Sequence, residues 1–206
     1  MNGLLLKDLL LMRSSVVPMA VLAVIFEVVF ARNSPAMMFI IGAALPSSVA
    51  GTVFVYDHSS GWNAYAVSSG VDRREIMRCK YVYCMILACV GIAMGLVGVA
   101  VNGAVKGGLP DPAELAVGLL IGVSVAIVMG SVICVANTIT SPMRARALEL
   151  ILCVGTIMAV TIVSTETADV LGNVPLTVPA VMLVASLGVL AASYWMAQRK
   201  FATKDL

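Results

Sequence analysis

The chain holds a single histidine, His58, directly after Asp57. A Ser–His–Asp relay would need both residues in a prepared pocket with a serine nucleophile, and no serine here has such a partner set. No Cys or His stands at metal-ligand spacing from His58. There is no H-E-x-x-H stretch and no pair of aspartates within an apolar run, so intramembrane proteolysis is not indicated. His58 therefore reads as a hydrogen-bonding group at a membrane interface. The G-x-x-x-x-G-K-[ST] loop that cradles ATP phosphates is also missing. Glu27 is a different kind of candidate, because apolar residues flank it and an ionisable group in such a run is a functional candidate by default. Arg32 follows five residues later, off the regular helical face that would pair them. A snorkelling role near the outer surface, the lining of an outer exit and contact with another chain all fit Glu27. Asn102, Ser131, Asn137 and Thr138 can bond across helices or to local carbonyls. Glu114 and Glu149 fall near helix ends and read as membrane-surface residues.

The elements that would position these groups are apolar. Of 206 residues, 61% are hydrophobic and 12% charged, about half the charged share of a soluble domain. No Asp, Glu, Lys or Arg occurs in Asn33–Tyr56, Tyr81–Val105, Leu115–Met143 or Val170–Gln198. Each run reaches the roughly 20 residues a helix needs to cross about 30 Å of hydrocarbon. In lipid a segment must satisfy its own backbone groups, and these runs lack the alternation of a barrel strand. The reading is an all-α integral membrane protein with six transmembrane helices over 14–31, 35–56, 81–105, 113–137, 148–165 and 175–196, forming one domain over 1–206. Lys7 and Arg13 precede an apolar run as in a signal peptide. Glu27 interrupts that run and Val29-Phe30-Ala31 is a poor cleavage site, so the first helix is expected to be retained. Pro35 and Pro112 suit a first helical turn, whereas Pro46 is expected to kink or divide the second helix. Five cysteines lie in or beside the spans, and none suggests a disulfide framework. The thirteen methionines read first as core filling.

Charge sets the orientation. With the N-terminus inside, Lys7, Arg13, Arg73, Arg74, Arg78, Lys80, Arg144, Arg146, Arg199, Lys200 and Lys204 lie on the inner side, eleven of thirteen basic residues. Arg32 and Lys106 alone fall outside. This asymmetry predicts an N-in, C-in topology. These charges would meet lipid headgroups rather than nucleic acid. Gly91/Gly95, Gly118/Gly122 and Gly188/Ala192 place small residues four apart, which permits close helix packing within a subunit, a dimer face or a sliding gate.

The longest polar segment, 57–80, is cytoplasmic in this topology. Trp62 and Tyr65 suit a membrane–water interface. Asp72 is a good N-cap, Glu75 can complete a capping box, and Val71 with Ile76 can form a hydrophobic staple. Arg73, Arg74, Arg78 and Lys80 follow. The segment reads either as a merely basic inner loop or as a compact block with a short coupling helix, suited to passing a soluble partner's movement to the second and third spans.

These features resemble the membrane subunit of ABC-2 type ATP-binding-cassette transporters, in particular the compact six-helix permeases. The resemblance rests on the opening segment Asn2-Gly3-Leu4-Leu5-Leu6-Lys7-Asp8-Leu9, on Asp57, Trp62 and Tyr65, and on Ser69-Gly70-Val71-Asp72-Arg73-Arg74-Glu75-Ile76 followed by Lys80-Tyr81. This chain departs from the pattern at Gly70, where that family often has proline, and at Asp72, often serine. The resemblance implies a permease in a bacterial cytoplasmic membrane, moving substrate outward, with peptide or amphipathic cargo as one expectation. It implies a partner ATPase holding ATP and Mg, no cofactor and no enzyme activity in this chain, and a second copy or a related permease chain. Asp57, Trp62, Tyr65, Asp72, Arg73, Arg74, Glu75, Arg78 and Lys80 would be the partner-coupling residues, with Glu27 on an outer pathway. The competing readings are a non-transporting immunity or sensory module and an ion-coupled secondary transporter.

Overall fold

The computed structural model describes residues 2–30, 35–106, 108, 110–140, 144–152, 154, 155, 158 and 177–202. Its described elements are α1 (Asn2–Phe30), α2 (Pro35–Ser59), the short α3 (Trp62–Ser68), α4 (Arg73–Lys106), α5 (Pro112–Ile139) and α6 (Thr177–Ala202), and residues 144–152 are also helical. α2, α4, α5 and α6 are long and apolar enough to cross a membrane. The protein is thus an all-α, multi-pass membrane protein. The expected fifth span, 148–165, lies mostly outside the described residues.

Two helices begin earlier than the apolar runs suggest. α1 starts at Asn2 rather than 14, and carries Lys7, Asp8 and Arg13 on its first turns. α4 starts at Arg73 rather than 81, so the capped helix and the membrane span are one rod. Nothing between Glu75 and Tyr81 interrupts it, since neither Gly nor Pro occurs there. The Asp72 side chain accepts from Arg74 N at 3.1 Å, and its carbonyl takes Glu75 N at 2.9 Å. At α5, Asp111 caps Ala113 N at 3.3 Å, with Pro112 in the first turn as its missing N–H permits.

α2 is the axis of the bundle: 72% of its apolar window is buried inside the chain, against 17% for α6, which faces outward. α2 packs on α1, α4 and α5, and α6 lies on α5 and α4. Pro46 leaves α2 unbroken. It has no N–H for the Gly42 carbonyl, and that freed carbonyl meets the bare face of Gly91 on α4. A Cβ on Gly42 would come 2.6 Å from the Gly91 oxygen, and one on Gly95 would come 3.0 Å from Phe39 Cα. The Gly91/Gly95 pair is therefore packed within the chain. On α5, a Cβ on Gly122 would come 2.8 Å from Phe39 Cβ, whereas Gly188 on α6 faces open space. With no water to expel between spans, such close backbone approach is what holds helices together in lipid.

The largest apolar cluster draws on all six helices: Met12 and Met19, Ala50 and Val53, Ala66, Ile76, Met77 and Leu87, Ile133, and Ala197 and Phe201. It sits where α1 and α4 begin and α2, α5 and α6 end. Three methionines fill it, in line with a core-filling role. Farther along the bundle, Tyr81 donates to Ser193 Oγ at 2.6 Å, and Ser193 in turn donates to the Ser131 carbonyl at 2.9 Å, tying α4, α6 and α5.

Candidate functional site

Four charged side chains close a ring beside this core. Lys80 Nζ on α4 is 3.0 Å from both oxygens of Asp8 on α1, and 2.5 Å from Asp57 Oδ2 on α2. Lys7 Nζ contacts the other Asp57 oxygen and lies 3.1 Å from Asp8. Charges alternate around the ring and sum to zero. Asp8, Asp57 and Lys80 are each at most 3% exposed. Taking such charges out of water costs several kcal/mol per ion, roughly, and only close pairing on every side offsets it. The ring therefore joins α1, α2 and α4 in one geometry, since sliding any one helix would strand a buried charge.

Helix α3 is seated on this ring. Lys7 Nζ lies 4.7 Å from the centre of the Trp62 ring, a cation–π contact, and Lys80 Nζ lies 5.4 Å from that of Phe54. Gly61 (φ 65°) and Gly70 (φ 88°) turn the chain before and after α3 with left-handed backbone, which glycine adopts without a Cβ clash. Gly70 N also donates to the Val67 carbonyl at 3.0 Å. A proline has no such donor and is fixed near −65°, so this turn is built differently from one that proline would make.

The expected coupling residues divide into inner and outer sets. Asp57 and Lys80 are buried in the ring. Trp62 is half-buried on Lys7, and Glu75 is half-buried. Arg73 reaches the end of α6, donating to the Phe201 and Ala202 carbonyls at 3.3 and 2.9 Å. Those carbonyls have no intrahelical partner, and a cation there also complements the helix dipole. Arg78 is exposed and donates to Tyr194 Oη at 3.1 Å. Tyr65, Asp72 and Arg74 are exposed, Tyr65 by 63%, as is Tyr56 in the last turn of α2. Glu27 falls within α1, and its side chain lies outside the described residues. His58 is exposed and lines a small cavity of about 30 Å³ with Asn63, Asn137 and Thr138. Among the described residues, no three His, Cys, Asp or Glu side chains gather as a metal site.

Two features escape a reading of the sequence alone. Lys7 and Asp8 looked like part of an opening motif, yet they supply half of the ring. Their signal was an adjacent charge pair inside Leu4–Leu11, an otherwise apolar stretch. Glu149, expected at the membrane surface, is instead 3% exposed. It accepts from Asn137 Nδ2 at 2.5 Å and rests on the bare face of Gly51, where a Cβ would collide with its carboxylate. Ser131 and Thr138 donate to the carbonyls four residues back, Ile127 and Cys134, so their hydroxyls are spent locally.

The family described as "ABC-2 family transporter protein" has a model that matches residues 3–202, nearly the whole chain. No curated protein and no solved structure matches.

Proposed function

This chain belongs to the ABC-2 family of transporter proteins, and we propose that it is the permease subunit of an ATP-driven exporter whose ATPase is a separate polypeptide. The observation that carries this reading is the ion-paired ring. It locks the start of α1, the end of α2 and the start of α4 together and seats α3 upon them. A soluble partner pressing on α3 would move three helices at once. Tyr65, Asp72 and Arg74 form the contact surface, and the ring with Arg73 transmits the movement.

Six crossings with both termini in the cytoplasm fit this geometry. α5 and α6 both run toward the ring end: Asn137 near the end of α5 lines a cavity with Phe54, His58 and Phe201, and the end of α6 is held by Arg73. Two successive helices that run the same way require a return between them, and helical residues 144–152 start at the ring end, where Asn137 holds Glu149. The ring end carries most of the basic residues, which supports an inner position for it. The functional unit is a pair of permease chains, identical or related, with two ATPases in a bacterial cytoplasmic membrane, and ATP and Mg are held by the ATPases. Peptide or amphipathic cargo is the expectation that the family resemblance carries.

Affinity purification from native membranes in mild detergent tests this. One soluble ATP-binding subunit per membrane chain is expected, and the double variant Tyr65→Ala/Arg74→Glu should lose it while eluting as a folded species. Recovery of the membrane chain with a toxin or signalling protein and no ATPase would overturn the proposal in favour of a non-transporting module. Flux that persists without any ATPase would favour an ion-coupled carrier.

A further inference from the structure

An apolar groove of about 570 Å³ runs between α4 and α6. Val82, Met85 and Cys89 line one wall, and Leu187, Leu190 and Ala191 the other. The α4 residues recur at three- and four-residue spacing, as do those of α6, so each wall is one helical face. Both walls belong to helices long and apolar enough to cross a membrane, and the groove is open on one side.

The end of the groove nearest the ring changes character. Tyr194 lines it and packs edge-on against Tyr81, with ring centres 5.2 Å apart. The Tyr194 oxygen accepts from Arg78 Nε at 3.1 Å and from Gln198 Nε2 at 2.5 Å. Two accepted bonds leave the phenol its own proton to donate. Among the described residues Arg78 is engaged through Nε, and the residue is exposed, which leaves its two terminal nitrogens for an anion, and Arg74 lies one turn below on the same face of α4, also exposed. A guanidinium fork, a phenol donor and an amide thus converge where the apolar groove ends.

We propose that this groove is a binding site for one anionic phospholipid, with an acyl chain between α4 and α6 and the phosphate on Arg78 and Tyr194. The charge arrangement selects this occupant. A second copy of this chain would have to place an anion at the Arg78 mouth and aliphatic side chains along the groove, whereas a phospholipid carries both in that order. Guanidinium groups bind phosphate bidentately, and tyrosines favour the headgroup level. Because Arg78 shares a helix with Lys80, a lipid held here would bear on the same rod that the ring locks.

The test is native mass spectrometry of the full chain, delipidated in mild detergent and titrated separately with phosphatidylglycerol and phosphatidylcholine. Wild type should retain one phosphatidylglycerol per chain about tenfold more tightly than phosphatidylcholine, the scale of a charge-assisted contact. Arg78→Gln should bring the two lipids level, and Ala191→Trp, which fills the groove, should remove the retained molecule for both. Arg199→Gln serves as the control, since Arg199 stacks on Trp195 at 3.6 Å, away from the groove lining, and should leave retention unchanged. Equal retention of both lipids by wild type would overturn the proposal. So would unchanged retention in Ala191→Trp, or a change in that variant's oligomeric state with its lipid count intact.

Discussion

Lys80 Nζ lies 3.0 Å from each carboxylate oxygen of Asp8, a bond that closes across 72 residues of chain. Neither residue is informative alone. Asp8 sits one position after Lys7, and Lys80 one position before Tyr81, so each looks like a charge that ends a membrane span. Together with Lys7 and Asp57 they make a buried, neutral ring. Surface charges that merely orient a protein would be tolerant of exchange, whereas buried paired charges are not.

Lys80→Met should destabilise the protein by about 3–5 kcal/mol, because it leaves Asp8 and Asp57 buried with Lys7 alone to serve both. Lys80→Met with Asp8→Asn should recover part of that loss, since the remaining buried Lys7–Asp57 pair is again neutral. Thermal unfolding in detergent, followed by loss of monodisperse elution, measures both. A Lys80→Met variant as stable as wild type would show that the ring is not a structural tie.

Gly51→Ala should be costly through Glu149, whose carboxylate is the nearest group to a Cβ there. A methyl group at position 51 collides with the Glu149 carboxylate, and overpacking of this kind typically costs about 1–3 kcal/mol. Glu149→Ala removes the obstacle, so the double variant should lose less stability than the two single losses added together. Additive losses would mean that the two residues are not in contact.

The spans were legible because hydrocarbon imposes length and polarity on each of them. The ranges 35–56, 81–105 and 113–137, expected as spans, all fall inside helices of the structure. The starts of α1 and α4 were not legible, because polar first turns of a helix and a polar loop have the same composition. Asp72 gave a sound capping signal, and α4 does begin beside it, but capping says nothing about whether a helix stops before the membrane. The site was legible in pieces. Asp57, Trp62 and Lys80 were marked by a resemblance of spacing, while the pairing of Lys80 with Asp8 depends on helix register across the bundle, which one sequence does not contain. Glu149 was misplaced because a carboxylate near a helix end ordinarily meets water, and here Asn137 and the bare surface of Gly51 offer it an interior seat.

Glycine positions should separate sharply. Gly42→Ala must displace backbone, since its Cβ would come 2.6 Å from the Gly91 oxygen and 2.9 Å from Gly95 N. Backbone cannot step aside as a flexible side chain can, so the cost should reach or exceed the 1–3 kcal/mol or so of ordinary overpacking. Gly188→Ala meets nothing within 4 Å and should be neutral or slightly stabilising through helix propensity. Parallel thermal melts of the two variants check this, and equal losses would contradict the close α2–α4 crossing at Gly42 and Gly91.

Gly70→Pro would install the residue that related permeases often carry, and it should nevertheless harm this chain. The turn needs φ near 88° and an N–H that donates to Val67, and proline supplies neither. The α3–α4 junction would have to rebuild, while the ring and the spans, which lie on other residues, stay in place. The expected outcome is a variant that elutes as wild type does and unfolds at a temperature lower by only a few degrees, on the scale of about 1 kcal/mol, yet recovers less of the proposed partner ATPase on affinity purification. Full ATPase recovery with unchanged stability would mean that this turn is free to adopt the proline geometry. Its left-handed glycine would then have no part in presenting Tyr65, Asp72 and Arg74.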